Sequence, residues 1–251
     1  MRRWITGLLL LLLILAVFAA GSAWFLLRTE SGAAWVIGLA KERVPGNLIV
    51  GELEGDFASG LTISGLDFEL DGLSVRSERI ALSFTPRWPP LAIRLHFLEL
   101  ENLQVRLPEP AVEDVQGESP DSLALPFPIE LERFALDGLT VLDAGGLTLF
   151  EARQMNAAAS FSDKAEFRSL ELETEYGWVL TEGTLALGQP FAAGATITTT
   201  LAIPLEGQEE PLTVQLESQL GGEAGAYELL LDATATLGRF GMDLDGTVDF
   251  A

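Results

Sequence analysis

No cysteine occurs anywhere in the chain, which excludes a disulfide framework and any thiolate chemistry. Histidine is almost as scarce: His96 alone must serve any triad, proton relay or imidazole metal site. It falls beside Arg94 on the polar side of the strand expected from Leu91, Ile93, Leu95 and Phe97, where it reads as a solvated strand residue. Basic residues are few as well, 15 against 37 acidic ones, for a net charge of −22. Such a balance excludes nucleic acid as a partner and keeps the surface from lying flat on anionic headgroups. Between Glu171 and Ala251, 14 carboxylates face Arg239 alone. Phosphate-binding loops, dinucleotide fingerprints, nucleophile elbows and zinc-ligand spacings are missing too, so no enzyme and no cofactor is expected. Asp243, Asp245 and Asp249 share a face, but two-residue spacing along a strand gives no closed metal shell.

One long stretch lacks charge altogether. Trp4 to Leu27 is a run of 24 residues without a charged side chain. As a helix it reaches roughly 36 Å, enough for a hydrocarbon core of about 30 Å with some tilt. Arg2 and Arg3 make the leading flank the positive one, while Arg28 is offset by Glu30. That asymmetry keeps the N-terminus cytoplasmic and places the body across the membrane. A cleaved signal peptide is the rival reading, with Gly21-Ser22-Ala23 as small residues for a peptidase, but the run exceeds the usual apolar stretch of such peptides. The expected organisation is a signal-anchor over residues 1–28, a membrane-proximal helix within 29–46, and a β region over 47–251. Ser31 is the expected cap of the short helix, which runs through Ala33–Ala40 at the membrane surface. Lys41 and Arg43 lie near its negative end, and Pro45-Gly46 stops it.

After Gly46 no further helical periodicity appears, and period-two alternation takes over. Leu170, Leu172, Tyr176, Trp178 and Leu180 are assigned to one face against Glu171, Glu173, Glu175 and Thr181. Ile197 and Leu201 alternate with threonines, and Val214 and Leu216 with Thr213, Gln215 and Glu217. Leu229 and Leu231, then Met242 and Leu244, continue the pattern. Turn-forming clusters between these segments predict an antiparallel meander. Three earlier segments share a pattern in which alternation slips by one at Gly or Asn: Leu61–Phe68 around Gly65, Leu98–Val105 around Asn102, and Phe134–Val141 around Gly138, at spacings of 37 and 36 residues. A β-bulge with positive φ at those residues is expected, and a repeat of this looseness also competes with chance. Residues 108–128 hold five prolines and five carboxylates with no basic residue, and read as a mobile insert.

A sheet with one apolar side must close into a barrel, pair into a sandwich, or accept something apolar from outside. Leaving each such Leu or Ile wet costs about 1.5–3 kcal/mol.

The order of features over residues 1–107 resembles the N-terminus of the TamB family, within the wider AsmA-like group. The resemblance rests on the anchor, Thr29-Glu30-Ser31-Gly32, Val44-Pro45-Gly46, Gly51-Glu52-Leu53-Glu54-Gly55 before Gly60-Leu61-Thr62-Ile63, Ala81 through Trp88, and Leu98-Glu99-Leu100-Glu101-Asn102-Leu103. It implies a mainly β fold of the β-taco type: a long, curved, mostly antiparallel sheet forming an elongated apolar-lined trough. It also implies an inner-membrane anchor, a periplasmic body, the outer-membrane barrel protein TamA as partner, and roles in outer-membrane protein and autotransporter assembly and in phospholipid movement. Acyl chains would then lie against Leu170, Leu172, Trp178, Ile197, Leu201, Val214, Leu216, Leu229, Leu231, Met242 and Leu244. Family members are longer, so the chain is expected to be a fragment lacking C-terminal length. A membrane-tethered scaffold with a self-closed β core and an exported β-solenoid adhesin are the alternatives.

Overall fold

The computed structural model describes residues 21, 24–89, 91–109, 125–189, 191–204, 211–223, 226–237 and 240–250, with the backbone alone for 237–250. One helix, α1 (Glu30–Arg43), precedes twelve strands. These are β1 (Asn47–Asp56), β2 (Gly60–Leu70), β3 (Leu73–Arg87), β4 (Ala92–Arg106), β5 (Ile129–Leu142), β6 (Thr148–Phe161), β7 (Lys164–Thr174), β8 (Gly177–Ala186), β9 (Ala193–Ile203), β10 (Leu212–Glu223), β11 (Ala226–Leu237) and β12 (Phe240–Phe250). They form a single sheet in strict chain order, with β1 and β12 as its edges. The sheet is open, so the closed β core considered above is not what the described residues form. Eleven inter-strand gaps of about 4.8 Å make it roughly 50 Å across.

Ten of the strand pairs are antiparallel, as the alternation and turns require; β4 and β5 run parallel. A parallel pair needs a connection of a dozen or more residues to carry the chain back. The acidic, proline-rich stretch expected as an insert supplies it, since the chain leaves β4 at Arg106 and re-enters β5 at Ile129. Residues 110–124 of that stretch lie outside the described residues.

The parallel pair also explains the repeat. Leu98, Leu100, Leu103 and Val105 of β4 sit beside Phe134, Leu136, Leu139 and Val141 of β5, so the second and third copies are neighbours. Gly65, Asn102 and Gly138 all have positive φ, at 91°, 50° and 78°. They are not bulges in the ladder, however. Pairing stays in step on both sides of them, from Val50↔Leu66 and Glu52↔Ser64 across to Asp137↔Gln154 and Leu139↔Ala152. Along this transverse seam no strand gains an extra residue against its neighbour, because β1 to β6 all slip together there; the register shifts of β3–β4 and β5–β6 lie elsewhere, at Ser83/Phe84, Leu131/Phe134 and Val141/Leu142. The left-handed residue resets the alternation, so Ile63 and Leu66, or Leu100 and Leu103, keep the same face across it.

The helix starts two residues earlier than expected. Thr29, not Ser31, is the N-cap: its side-chain oxygen accepts from the Gly32 N–H at 3.0 Å, and its hydroxyl donates to the Phe25 carbonyl at 2.7 Å. Extended backbone at Thr29 separates helical residues 24–28 from α1. The two pieces meet so closely that a Cβ at Gly32 would collide with the Phe25 carbonyl. α1 does not simply lie apart at a membrane surface; it packs on the sheet. Ala33 joins Phe57, Leu61 and Ile63 in a buried cluster, ringed by Val36, Ile37, Val50, Leu53, Ile80, Leu82 and Phe84. The Ala58 N–H donates to the Leu27 carbonyl at 3.1 Å, which fastens the helix entry to the β1–β2 turn.

No helix among the described residues is long and apolar enough to cross a membrane. The anchor expected over Trp4–Leu27 lies outside them except for residues 21 and 24–27, and so do Arg2 and Arg3.

Candidate functional site

Residues paired across strands share a face, so the register alone defines what each side of the sheet presents. One transverse row runs Leu53, Ile63, Ile80, Leu100, Leu136, Met155, Leu172, Val179, Thr199, Leu216, Ala233 and Leu244, one residue from every strand. Eleven of these twelve are apolar. A second row holds Leu61, Leu82, Leu98, Phe134, Ala157, Leu170, Thr181, Ile197, Ser218 and Leu231. A third brings Leu201 beside Val214, Ala235 and Met242, and a fourth runs from Phe84, Leu95 and Leu131 to Leu220 and Leu229. Ten of the eleven residues expected to contact acyl chains therefore occupy one side. Met242 and Leu244 do so by backbone register alone.

Trp178 is the exception. β7 and β8 are joined by the two-residue turn Glu175-Tyr176, with Thr174 paired to Gly177, so odd positions of one strand face even positions of the other. Reversal through two residues inverts the parity that was carried straight through the turn in the sequence assignment. Leu172 thus pairs with Val179, while Trp178 pairs with Glu173 and Thr200, and Leu180 with Glu171 and Thr198, on the opposite side. Val179 was missed for the same reason, although the Glu-Thr-Glu-Tyr-Gly run carries the turn signal in Gly177. Thr174 closes that turn, accepting from the Tyr176 N–H at 3.3 Å and donating to the Gly177 carbonyl at 3.2 Å. The N-terminal half of the apolar side, from Leu53 to Met155, was likewise not assigned as a site; the slip at the seam hid its continuity.

Burial divides the apolar side in two. Under α1, Leu61 is fully buried and Ile63 nearly so. From Leu170 to Leu231 the corresponding side chains are only half-buried, with no second layer among the described residues.

The other side is polar. Its row opposite the first reads Glu52, Ser64, Arg79, Glu101, Asp137, Gln154, Glu173, Trp178, Thr200, Gln215 and Thr234. Ion pairs tie the early strands: Arg76 to Asp67 at 3.0 Å, Arg79 to Glu101 at 2.7 Å, Arg94 to Glu130 at 2.9 Å, and Arg133 to Glu99. All are solvent-accessible, so each contributes at most about 1 kcal/mol. His96 is not the freely solvated residue expected. Its Nδ1 meets Glu132 at 2.9 Å and its Nε2 meets the Thr85 hydroxyl at 3.1 Å, which links β3, β4 and β5 over the parallel joint. The hydrogen bond from His96 is the main reason the Glu132 carboxyl lies below the usual glutamate range. No cluster suited to a metal ion occurs among the described residues.

The arrangement is a two-sided surface, apolar on one side and polar on the other. Residues 19–165, more than half of the chain, match the family described as TamB, N-terminal domain. No solved structure matches the chain.

Proposed function

Because the chain belongs to the TamB family, with its role in the translocation and assembly module, we propose that the apolar side of this sheet carries phospholipid acyl chains between the inner and outer membranes. The anchor over residues 1–28 holds the protein in the inner membrane with its body in the periplasm, and TamA is the outer-membrane partner. Outer-membrane protein and autotransporter assembly is supported from that position. No catalytic step and no cofactor is involved.

The observation that supports this reading is the row from Leu53 to Leu244 on an open sheet, apolar at every strand but β9, where Thr199 stands. A lipid tail leaving a bilayer loses about 0.8 kcal/mol of apolar stabilisation for each CH₂ exposed to water. Beyond the part covered by α1, half-buried residues such as Leu172, Val179 and Leu216 offset that loss, so a lipid slides from strand to strand without a deep well or a high barrier. The carboxylate-rich reverse side stays hydrated and sets which side faces solvent. Strand order makes the path continuous: each added strand lengthens it by about 4.8 Å. Direction comes from lipid supply and demand at the two ends, since nothing in the reading consumes energy.

Native mass spectrometry after gentle detergent extraction tests it. Co-purified phospholipid is expected on the wild-type chain. The double substitution Leu216→Glu and Leu231→Glu puts two carboxylates into the path and should abolish the lipid signal while the β-sheet circular dichroism stays largely unchanged. A wild-type chain free of lipid, or a double variant that retains it, overturns the proposal.

A further inference from the structure

Trp178 stands out because it sits in the wrong row. Every other member of its transverse line, from Glu52 to Thr234, is polar, yet this indole is 45% exposed, with Tyr176 at 52% and Leu180 at 36% beside it. Together they form the wall of a cleft of about 580 Å³ on the hydrated side of β6 to β9. The rest of its lining includes Arg153, Gln154, Asn156, Glu171, Glu173 and Glu175. Exposing a Trp on a surface otherwise selected to be polar costs solubility and gains nothing for lipid passage on the opposite side. The hydrated side of the later strands therefore carries a second surface.

We propose that this cleft docks a cationic segment of a partner protein, with an Arg or Lys side chain stacked on Trp178 and held by the surrounding carboxylates. Charge decides the occupant. Three carboxylates line the cleft against Arg153, which is itself set against Glu173 at 4.0 Å, and the whole chain carries −22. A guanidinium or ammonium over an indole face gains about 0.5–2 kcal/mol, more when carboxylates flank it. Tyr176 adds to the electron-rich wall: its hydrogen bond to Glu175 pushes its hydroxyl up from the ordinary phenol range. Leu172 and Val179 of the apolar row also border the cleft, but Trp178 and Glu173 belong to the opposite row of the sheet, so partner docking and lipid passage can occur on its two sides at once.

The test is fluorescence anisotropy with the full chain in detergent at physiological salt, using a labelled dodecapeptide of alternating Arg and Ser. Binding is expected to weaken about tenfold in Trp178→Ala and again in Glu173→Gln with Glu175→Gln. The control pair Glu228→Gln with Asp232→Asn removes equal charge from β11 and should leave affinity unchanged. Equal weakening by the control pair would show diffuse attraction and overturn the proposal, as would wild-type affinity in Trp178→Ala. Absence of peptide binding together with saturable binding of chitotetraose would make the cleft a glycan site and overturn it too. Trp178→Phe should restore part of the affinity, which separates stacking from a folding defect.

Discussion

The two ends of the apolar side carry the same residue types and meet different fates. At β1 to β3, Leu61 and Ile63 disappear under α1, with Ala33 and Phe57 completing a closed core. At β7 to β11, Leu172, Ile197, Leu216 and Leu231 sit in the same rows and remain half-exposed. Composition does not separate them; α1 lies on the first group and not on the second. The covered end works as a conventional core that fixes where the sheet begins. The uncovered part keeps its apolar area available, which is the property a lipid path needs.

That contrast makes its sharpest forecast for truncation. Leu61→Ala should destabilise the protein by about 3 kcal/mol, because it removes buried methyl groups and leaves a cavity that α1 prevents from collapsing. Leu216→Ala, in the same sheet and facing the same way, should cost only about 1 kcal/mol, since half of that side chain is already in water. Equal losses in chemical denaturation of the two variants would mean the uncovered side has a lid of its own.

The seam between β1 and β6 gives a smaller effect. Gly138 has φ +78°, and a Cβ there would lie 2.7 Å from Asn102 Oδ1. Gly138→Val should cost about 2 kcal/mol, from the left-handed backbone and from crowding against the neighbouring strand. Hydrogen exchange should localise the damage to β4, β5 and β6. Uniform protection across the six strands would show that the seam is a tolerant bend and not a shared structural line.

The smallest effect concerns pH at the covered end. Asp56 closes the β1–β2 turn, accepting the Ser59 hydroxyl at 2.5 Å, the Ser59 N–H at 2.8 Å and the Ala58 N–H at 2.9 Å. The Ser59 hydroxyl is the chief cause holding its carboxyl below the ordinary aspartate range. A depressed folded pKa means the unfolded chain binds the proton more tightly, so the contribution is full above about pH 4 and fades as pH falls through the lower folded value. Asp56→Asn should lower the melting temperature at pH 7, where the contribution is full, and the gap to wild type should close as pH falls below about pH 4. An unchanged acid slope would remove Asp56 from the account.

Strand content, the polarity of the two sides and the positive φ at Gly65, Asn102 and Gly138 were all legible in the chain, because each depends on nearest-neighbour chemistry: alternation of period two, and backbone conformations that Gly and Asn tolerate. The family resemblance in residues 1–107 was legible for the same local reason. What failed were inferences that crossed a turn or needed a distant partner. Trp178 was misplaced because a two-residue reversal inverts parity. The parallel pairing of β4 with β5 across the proline-rich stretch was not foreseen, because it cannot be seen from either strand alone. His96 was read as solvated because its partners Thr85 and Glu132 come from two other strands.

The amino-acid order by itself determined that this protein would be a sheet with one oily and one acidic side, since side-chain alternation is a property of the extended backbone. Only the tertiary structure decided where that oily side is covered. Covering depends on α1 folding back through the Thr29 turn so that Ala33 meets Leu61, 28 positions further along the chain, a contact whose free energy exists only once both surfaces are formed.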